Sequence, residues 1–152
     1  MPNIFNSDFR EFILALNNNK VEYILVGGYA VILHGYRRTT GDLDIWVNTT
    51  KENYQKLLTA YNEFGLPVTD ITADNFLHNS DIEVFTYGIP PVCIEIMKVV
   101  KGCNFSEAYQ ISEVFNENGL LIRFLHLNTL IQAKKAAARY KDLDDIEKLF
   151  GL

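Results

Sequence analysis

Cysteine is scarce in this chain of 152 residues: only Cys93 and Cys103 occur, in unlike contexts and without metal-ligand spacing to any histidine. That argues against a disulfide-stapled secreted domain, makes two reduced structural thiols the expectation, and points to the cytoplasm. Long apolar runs are also missing. No segment approaches the ~20 apolar residues that a membrane helix needs, which argues against membrane attachment. The opening "MPNIFNSDFREF" carries early acid and no apolar core, unlike a signal peptide. Basic charge falls short of acidic, 14 Lys and Arg against 19 Asp and Glu, for a net charge of -5. Unaided, non-specific binding to nucleic acid is therefore disfavoured, although a local basic cleft stays compatible with it. Repeats, linkers, low-complexity tracts and a recognisable RNA-binding module are absent. No Ser–His or Cys–His pair suggests a covalent intermediate. His34 reads as a helix-end contact, and His78 and His126 have no evident partners.

What remains is an ordinary globular composition, 48% hydrophobic and 22% charged, sized for one domain over residues 1–152. Phe9, Phe12, Ile13 and Leu16 fall at helical spacing, with Asp8 and Glu11 placed like a capping box. "VEYILV" reads as a strand, "YAVILH" as a two-turn helix stopped by Gly35, and "DLDIWV" as a second strand. Thr49 or Thr50 caps the helix "KENYQKLLTAYNEF", which Gly65 ends. The stretch from Pro67 to Asn79 is ambiguous, with room for a short helix. "DIEVFTY" and "VCIEIMKVV" read as strands joined across "GIPP". "SEAYQ" is a short helix, and "ISEVFNENGLLIRFL" a hairpin through "NENG". Leu130, Ile131, Leu143, Ile146 and Leu149 place one long helix, or two joined near Tyr140, at the C-terminus. The pattern is that of an α/β domain with mixed strand directions.

Two carboxylates break the logic of a buried strand. Side chains alternate along a strand, so Asp42, Asp44 and Trp46 share one face while Leu43, Ile45 and Val47 face a core. Like charges ~6.6 Å apart on one strand face raise each other's pKa unless a cation offsets them. Mg²⁺ does so, taking one or two carboxylates together with substrate phosphate oxygens. Two exposed acids on a solvated face are the plainer alternative. Gly27-Gly28, between the first strand and the following helix, favours the first reading: glycines let backbone approach a ligand, and a helix start attracts an anion. Phosphate at the glycines beside a metal at the aspartates makes a nucleoside triphosphate site.

A strand, Val26-Gly27-Gly28, thirteen residues and then Asp42-Leu43-Asp44-Ile45 resembles the signature of the DNA polymerase β-like nucleotidyltransferase superfamily. Within it the chain is similar to small bacterial nucleotidyltransferases related to the AbiEii-type abortive-infection toxins of toxin–antitoxin systems. Their R-x-T-x-D-x-D run is matched by Arg38, Thr40, Asp42 and Asp44. "PPVCIEIMKVVKGCNFSEAY" resembles their strand bearing a third acid, followed by Gly and an F-x-E-A helix. "LIQAKKAAARYKDLDDIEKL" resembles their closing segment. The resemblance spans nearly the whole chain. It implies the nucleotidyltransferase fold: a mixed, twisted sheet flanked by helices, with a helical C-terminus.

The resemblance puts the third acid at Glu95, where the family more often has Asp. On its own terms Glu95 interrupts the apolar run "VCIEIM" and needs a partner if buried; an exposed strand-face Glu is the alternative. With Asp42 and Asp44 it would complete a catalytic three-carboxylate site for Mg²⁺ or Mn²⁺ and help deprotonate an attacking hydroxyl. Gly27, Gly28, Arg38, Thr40, Lys134 and Arg139 are the implied nucleotide-binding residues. Lys134 and Arg139 match the family's Lys and Arg; Lys135 and Lys141 read as a solvated helix face. Asp142 and Asp145 match the family too, yet serve equally as helix caps or salt-bridge partners. Asp81 and Glu83 read as solvent-facing residues of a strand. The implied reaction moves a nucleoside monophosphate from a triphosphate to a hydroxyl on RNA, protein or a small molecule, with a cognate toxin or antitoxin as a possible partner. A degenerate binding protein, a regulatory component of a toxin–antitoxin pair and an antibiotic-modifying transferase remain open alternatives.

Overall fold

The computed structural model describes residues 3–36, 39–89, 92–137 and 145. Helix α1 (Ser7–Asn18) buries Phe9, Phe12, Ile13 and Leu16, the stripe its spacing foretold. Its cap differs from expectation: the Asn6 side chain accepts from the Phe9 backbone N–H, so the helix starts before Asp8 and the Asp8/Glu11 box does not form. Strand β1 (Tyr23–Val26) runs directly into α2 (Gly27–Leu33), with His34 next and Gly35 in a left-handed conformation at φ +93°. Strand β2 (Leu43–Val47) starts one residue after Asp42. Thr50 caps α3 (Lys51–Phe64), and Gly65, at φ +100°, ends it. The ambiguous stretch holds the short α4 (Ala73–Leu77), capped by Thr72.

β3 (Val84–Ile89) and β4 (Val92–Met97) pair antiparallel; the two prolines of their connection lie outside the described residues. Since Val84 already sits opposite Met97, the end of β4, the ladder leaves Asp81 and Glu83 before the strand rather than on it. Both are exposed, as expected. α5 (Phe105–Ile111) leads to the hairpin β5 (Glu113–Glu117) and β6 (Leu120–Phe124), whose turn residues Asn118 and Gly119 both have positive φ. α6 (Leu127–Ala137) follows. The expected junction near Tyr140, and Leu143, Ile146 and Leu149, lie outside the described residues.

The six strands of the described residues join one mixed sheet in the order β3-β4-β2-β1-β6-β5. The pairs β1/β2, β3/β4 and β5/β6 are antiparallel, and β1/β6 and β2/β4 are parallel. Alternation sends the two strand faces into two apolar layers. Leu25, Leu43, Ile45 and Ile96 meet α1 and α3 in the larger core. Ile24, Val26 and Trp46 meet Ala108 of α5 and Leu130 of α6 in the smaller one. A buried amide stitches α3 to the sheet: Asn53 accepts from the Glu22 N–H and donates to the Glu22 and Asn48 carbonyls. No helix among the described residues is long and apolar enough to cross a membrane.

Candidate active site

The parallel register of β2 and β4 sets Asp44 opposite Glu95. Trp46 and Met97, two residues further along the same strand faces, pack in the smaller core. Asp44 and Glu95 therefore lie on the sheet face that α5 and α6 partly cover, on strands ~4.8 Å apart. Both are half-buried, as is Asp42 just ahead of β2. The charges of Asp42 and Glu95 both reach the buried Cys93: desolvation pushes its thiol above the ordinary value, and the two carboxylates push it further. One electrostatic neighbourhood thus includes Asp42 and Glu95, and the register adds Asp44. Among the described residues, no three His, Cys, Asp or Glu side chains stand together as a ready-made metal cluster. The donor chemistry nevertheless suits a hard divalent cation, since all three candidate ligands are carboxylates.

Gly27 is bound to this arrangement by sterics. It has φ +68°, and a Cβ placed on it would overlap the Oδ2 of Asp44 and lie 2.9 Å from its Cγ. The Asp44 carboxylate therefore occupies the space that a side chain at position 27 would need. Gly28, the next residue, is buried in α2. The sequence alone suggested a turn opened for phosphate; the structure adds that the first glycine makes room for the acid itself.

A cavity of about 270 Å³ adjoins the acid. Gly27, Asp44 and Lys134 line it together with an apolar wall that includes Met97, Val100 and Leu130. Gly102 helps to shape that wall. At φ +80°, it lets the segment after β4 approach α6 so closely that a Cβ would come within 2.7 Å of the Ala136 methyl. The wall residues Val99, Val100 and Lys101 were not singled out from sequence; their only signal was the apolar pair before Gly102. Grooves of about 440 and 540 Å³, among those larger than this cavity, flank α1 and the β5–β6 turn. Neither is lined by any of the candidate acids, so their size does not bear on the chemistry.

Lys134 is 6% exposed, and its Nζ lies 3.1 Å from Oδ2 of Asp145, which is 2% exposed. Asp145, open to several readings from sequence, is thus an ion-pair partner. Lys135 is exposed, in keeping with a solvated position. Thr40 is half-buried in the segment entering β2. Arg38, Arg139, Lys141 and Asp142 lie outside the described residues. The His34 Nε2–H donates to the Leu125 carbonyl at 2.7 Å, which is the structural contact expected of it. Cys93 and Cys103 are free thiols.

A six-stranded mixed sheet with flanking helices and paired carboxylates on adjacent strands defines a nucleotidyltransferase-fold protein. The chain belongs to the family described as nucleotidyltransferase of unknown function (DUF6036), whose pattern matches residues 6–149. Solved structures share the fold. A Thermotoga maritima protein assigned as a nucleotidyltransferase is 16% identical, with TM-score 0.57 and coverage of 94% of this chain and 90% of that one. The lincosamide antibiotic adenylyltransferase LnuA, solved with lincomycin, is 15% identical, with TM-score 0.56 and 98% of both chains covered. An antigenic nucleotidyltransferase-like protein from Paracoccidioides brasiliensis is 15% identical, with TM-score 0.53 and coverage of 97% and 78%. No curated protein sequence matches the chain. The chain is accordingly an enzyme of the nucleotidyltransferase class.

Proposed function

We propose that residues 1–152 act as a single cytoplasmic nucleotidyltransferase domain that moves a nucleoside monophosphate from a nucleoside triphosphate to an acceptor hydroxyl. The observation that carries this reading is the in-register pair Asp44–Glu95 with Gly27 fitted against Asp44. Like charges opposed on neighbouring strands are unfavourable by themselves, and a hard divalent cation is a ligand that suits their donor chemistry. Asp42, Asp44 and Glu95 would hold Mg²⁺ or Mn²⁺, which supplies stabilisation of the negative charge that grows on phosphate. Glu95 would take the acceptor proton. The acceptor oxygen forms a bond to the α-phosphorus, the bond from that phosphorus to the bridging oxygen breaks, and pyrophosphate leaves with the electron pair. Gly27 and Gly28, at the start of α2, would lie against the triphosphate with Thr40 of the segment entering β2, and the resemblance implies Arg38 as a further phosphate ligand. Lys134, with Arg139, offsets triphosphate charge.

The acceptor is RNA, protein or a small molecule, and the resemblance to AbiEii-type toxins brings a cognate toxin or antitoxin into view as partner. The adenylyltransferase likeness supports a small-molecule acceptor, since that protein is solved with an antibiotic bound. A binding-only member is the second reading, favoured by Glu95 where the family more often has the shorter Asp. Incubating the chain with each α-labelled nucleoside triphosphate, Mg²⁺ and cell extract separates these readings. Label should enter one acceptor fraction and should not do so with Asp44→Ala. Binding of nucleotide with no label transferred from any of the triphosphates would support the binding-only reading.

A further inference from the structure

Lys134 sits where a lysine is costly. On α6 it follows Leu130 by four residues and Ile131 by three, so it continues the stripe that those residues bury in the smaller core. An ammonium on such a stripe needs a close counter-charge, because an unpaired buried cation forfeits its hydration. Asp145 supplies one at 3.1 Å while itself almost fully buried. A leucine–methionine pair of similar volume would fill the same space without that cost. The charged pair also lies at a particular place: Lys134 lines the cavity that Gly27 and Asp44 line.

We propose that Asp145 is a positioning residue of the nucleotidyl-transfer site: through its buried ion pair it fixes the Lys134 ammonium at the cavity beside Asp44. The inference rests on the reading that this cavity receives the triphosphate. A lysine stem has four flexible bonds, so an ammonium aimed at phosphate loses much entropy unless another group already holds it. Asp145 bears that ordering before the nucleotide arrives. In this proposal its effect on the nucleotide runs through Lys134.

The test compares wild type, Asp145→Asn, Lys134→Met and the double variant as full chains, each below its own unfolding midpoint. Two readouts are used: the rate of Lys134 acylation by acetic anhydride, followed by peptide mass spectrometry, and the dissociation constant for ATP with Mg²⁺. Loss of the ion pair should speed Lys134 acylation about tenfold in Asp145→Asn and weaken ATP by a similar factor. In the Lys134→Met background, Asp145→Asn should weaken ATP no further. Asp145→Glu, which keeps the charge, should restore part of both effects, and it replaces Asp145→Asn if the latter does not fold. Unchanged acylation of Lys134, or an Asp145 effect on ATP that persists without Lys134, overturns the proposal. ATP binding absent from wild type would instead remove the nucleotidyl-transfer reading, while acylation still judges the pair.

Discussion

Gly27 meets two demands at once. Its φ of +68° is a conformation that a Cβ disfavours, and the room beside it is filled by the Asp44 carboxylate. These demands separate experimentally. The backbone penalty for a side chain in the left-handed region is ~1–2 kcal/mol, and forcing a methyl into occupied space adds ~1–3 kcal/mol. Gly27→Ala should therefore lower stability to urea by about 2–5 kcal/mol in the wild-type background. In an Asp44→Gly background the loss should shrink to the backbone share. An equal loss in both backgrounds would contradict the steric coupling. Legibility varied among the site residues. Glu95 stood out because it interrupts an apolar run, and the Asp42/Asp44 pair because of its alternation. The burial of Lys134 did not stand out: its spacing from Leu130 and Ile131 continues their stripe, but a lysine there buries only with a counter-charge, and Asp145 as that partner was one of several readings. The seat of Asp44 against Gly27 is a contact between residues distant in the chain, which no local pattern encodes.

At the scale of elements, helices with a strong apolar stripe or a clear stop were the most legible. α3 occupies the expected Lys51–Phe64, because Thr50 and Gly65 bracket it chemically. Ends set by pairing or by competing caps were less so. Asn6 took the cap of α1 ahead of Asp8, and the β3 ladder began only where β4 offered a partner. The neighbouring of β2 and β4 was legible only through the resemblance that put Glu95 with Asp42 and Asp44, since crossovers rather than local sequence decide which strands become neighbours. That pairing has an energetic consequence: it opposes Asp44 and Glu95. Mg²⁺ or Mn²⁺ should therefore raise the melting temperature, by an amount reaching about 2.7 kcal/mol of added stability at a hundredfold excess over the dissociation constant. Differential scanning fluorimetry on Asp42→Asn/Asp44→Asn should show the rise abolished. If the double variant responds as wild type does, the ion binds elsewhere.

The whole molecule carries a net charge of -5, so a nucleoside triphosphate approaches a chain that repels it on average. Binding has to rest on local cations, and the cavity places Lys134 beside the acid strand. Fold class was legible at this scale, because the alternating strands and helices, with the Gly-Gly and Asp-x-Asp spacing, resembled one superfamily throughout. The acceptor was not, because in the proposed reading the Gly-Gly and Asp-x-Asp features serve only the triphosphate half of the reaction. The central claim is that Asp44 serves transfer from a triphosphate, and pyrophosphate release tests it most directly. Wild type with triphosphate, Mg²⁺ and cell extract should release pyrophosphate, and Asp44→Ala should do so more slowly by a factor of about 10² or more, since the charge stabilised in the transition state loses its support. Equal release from wild type and Asp44→Ala would contradict the account.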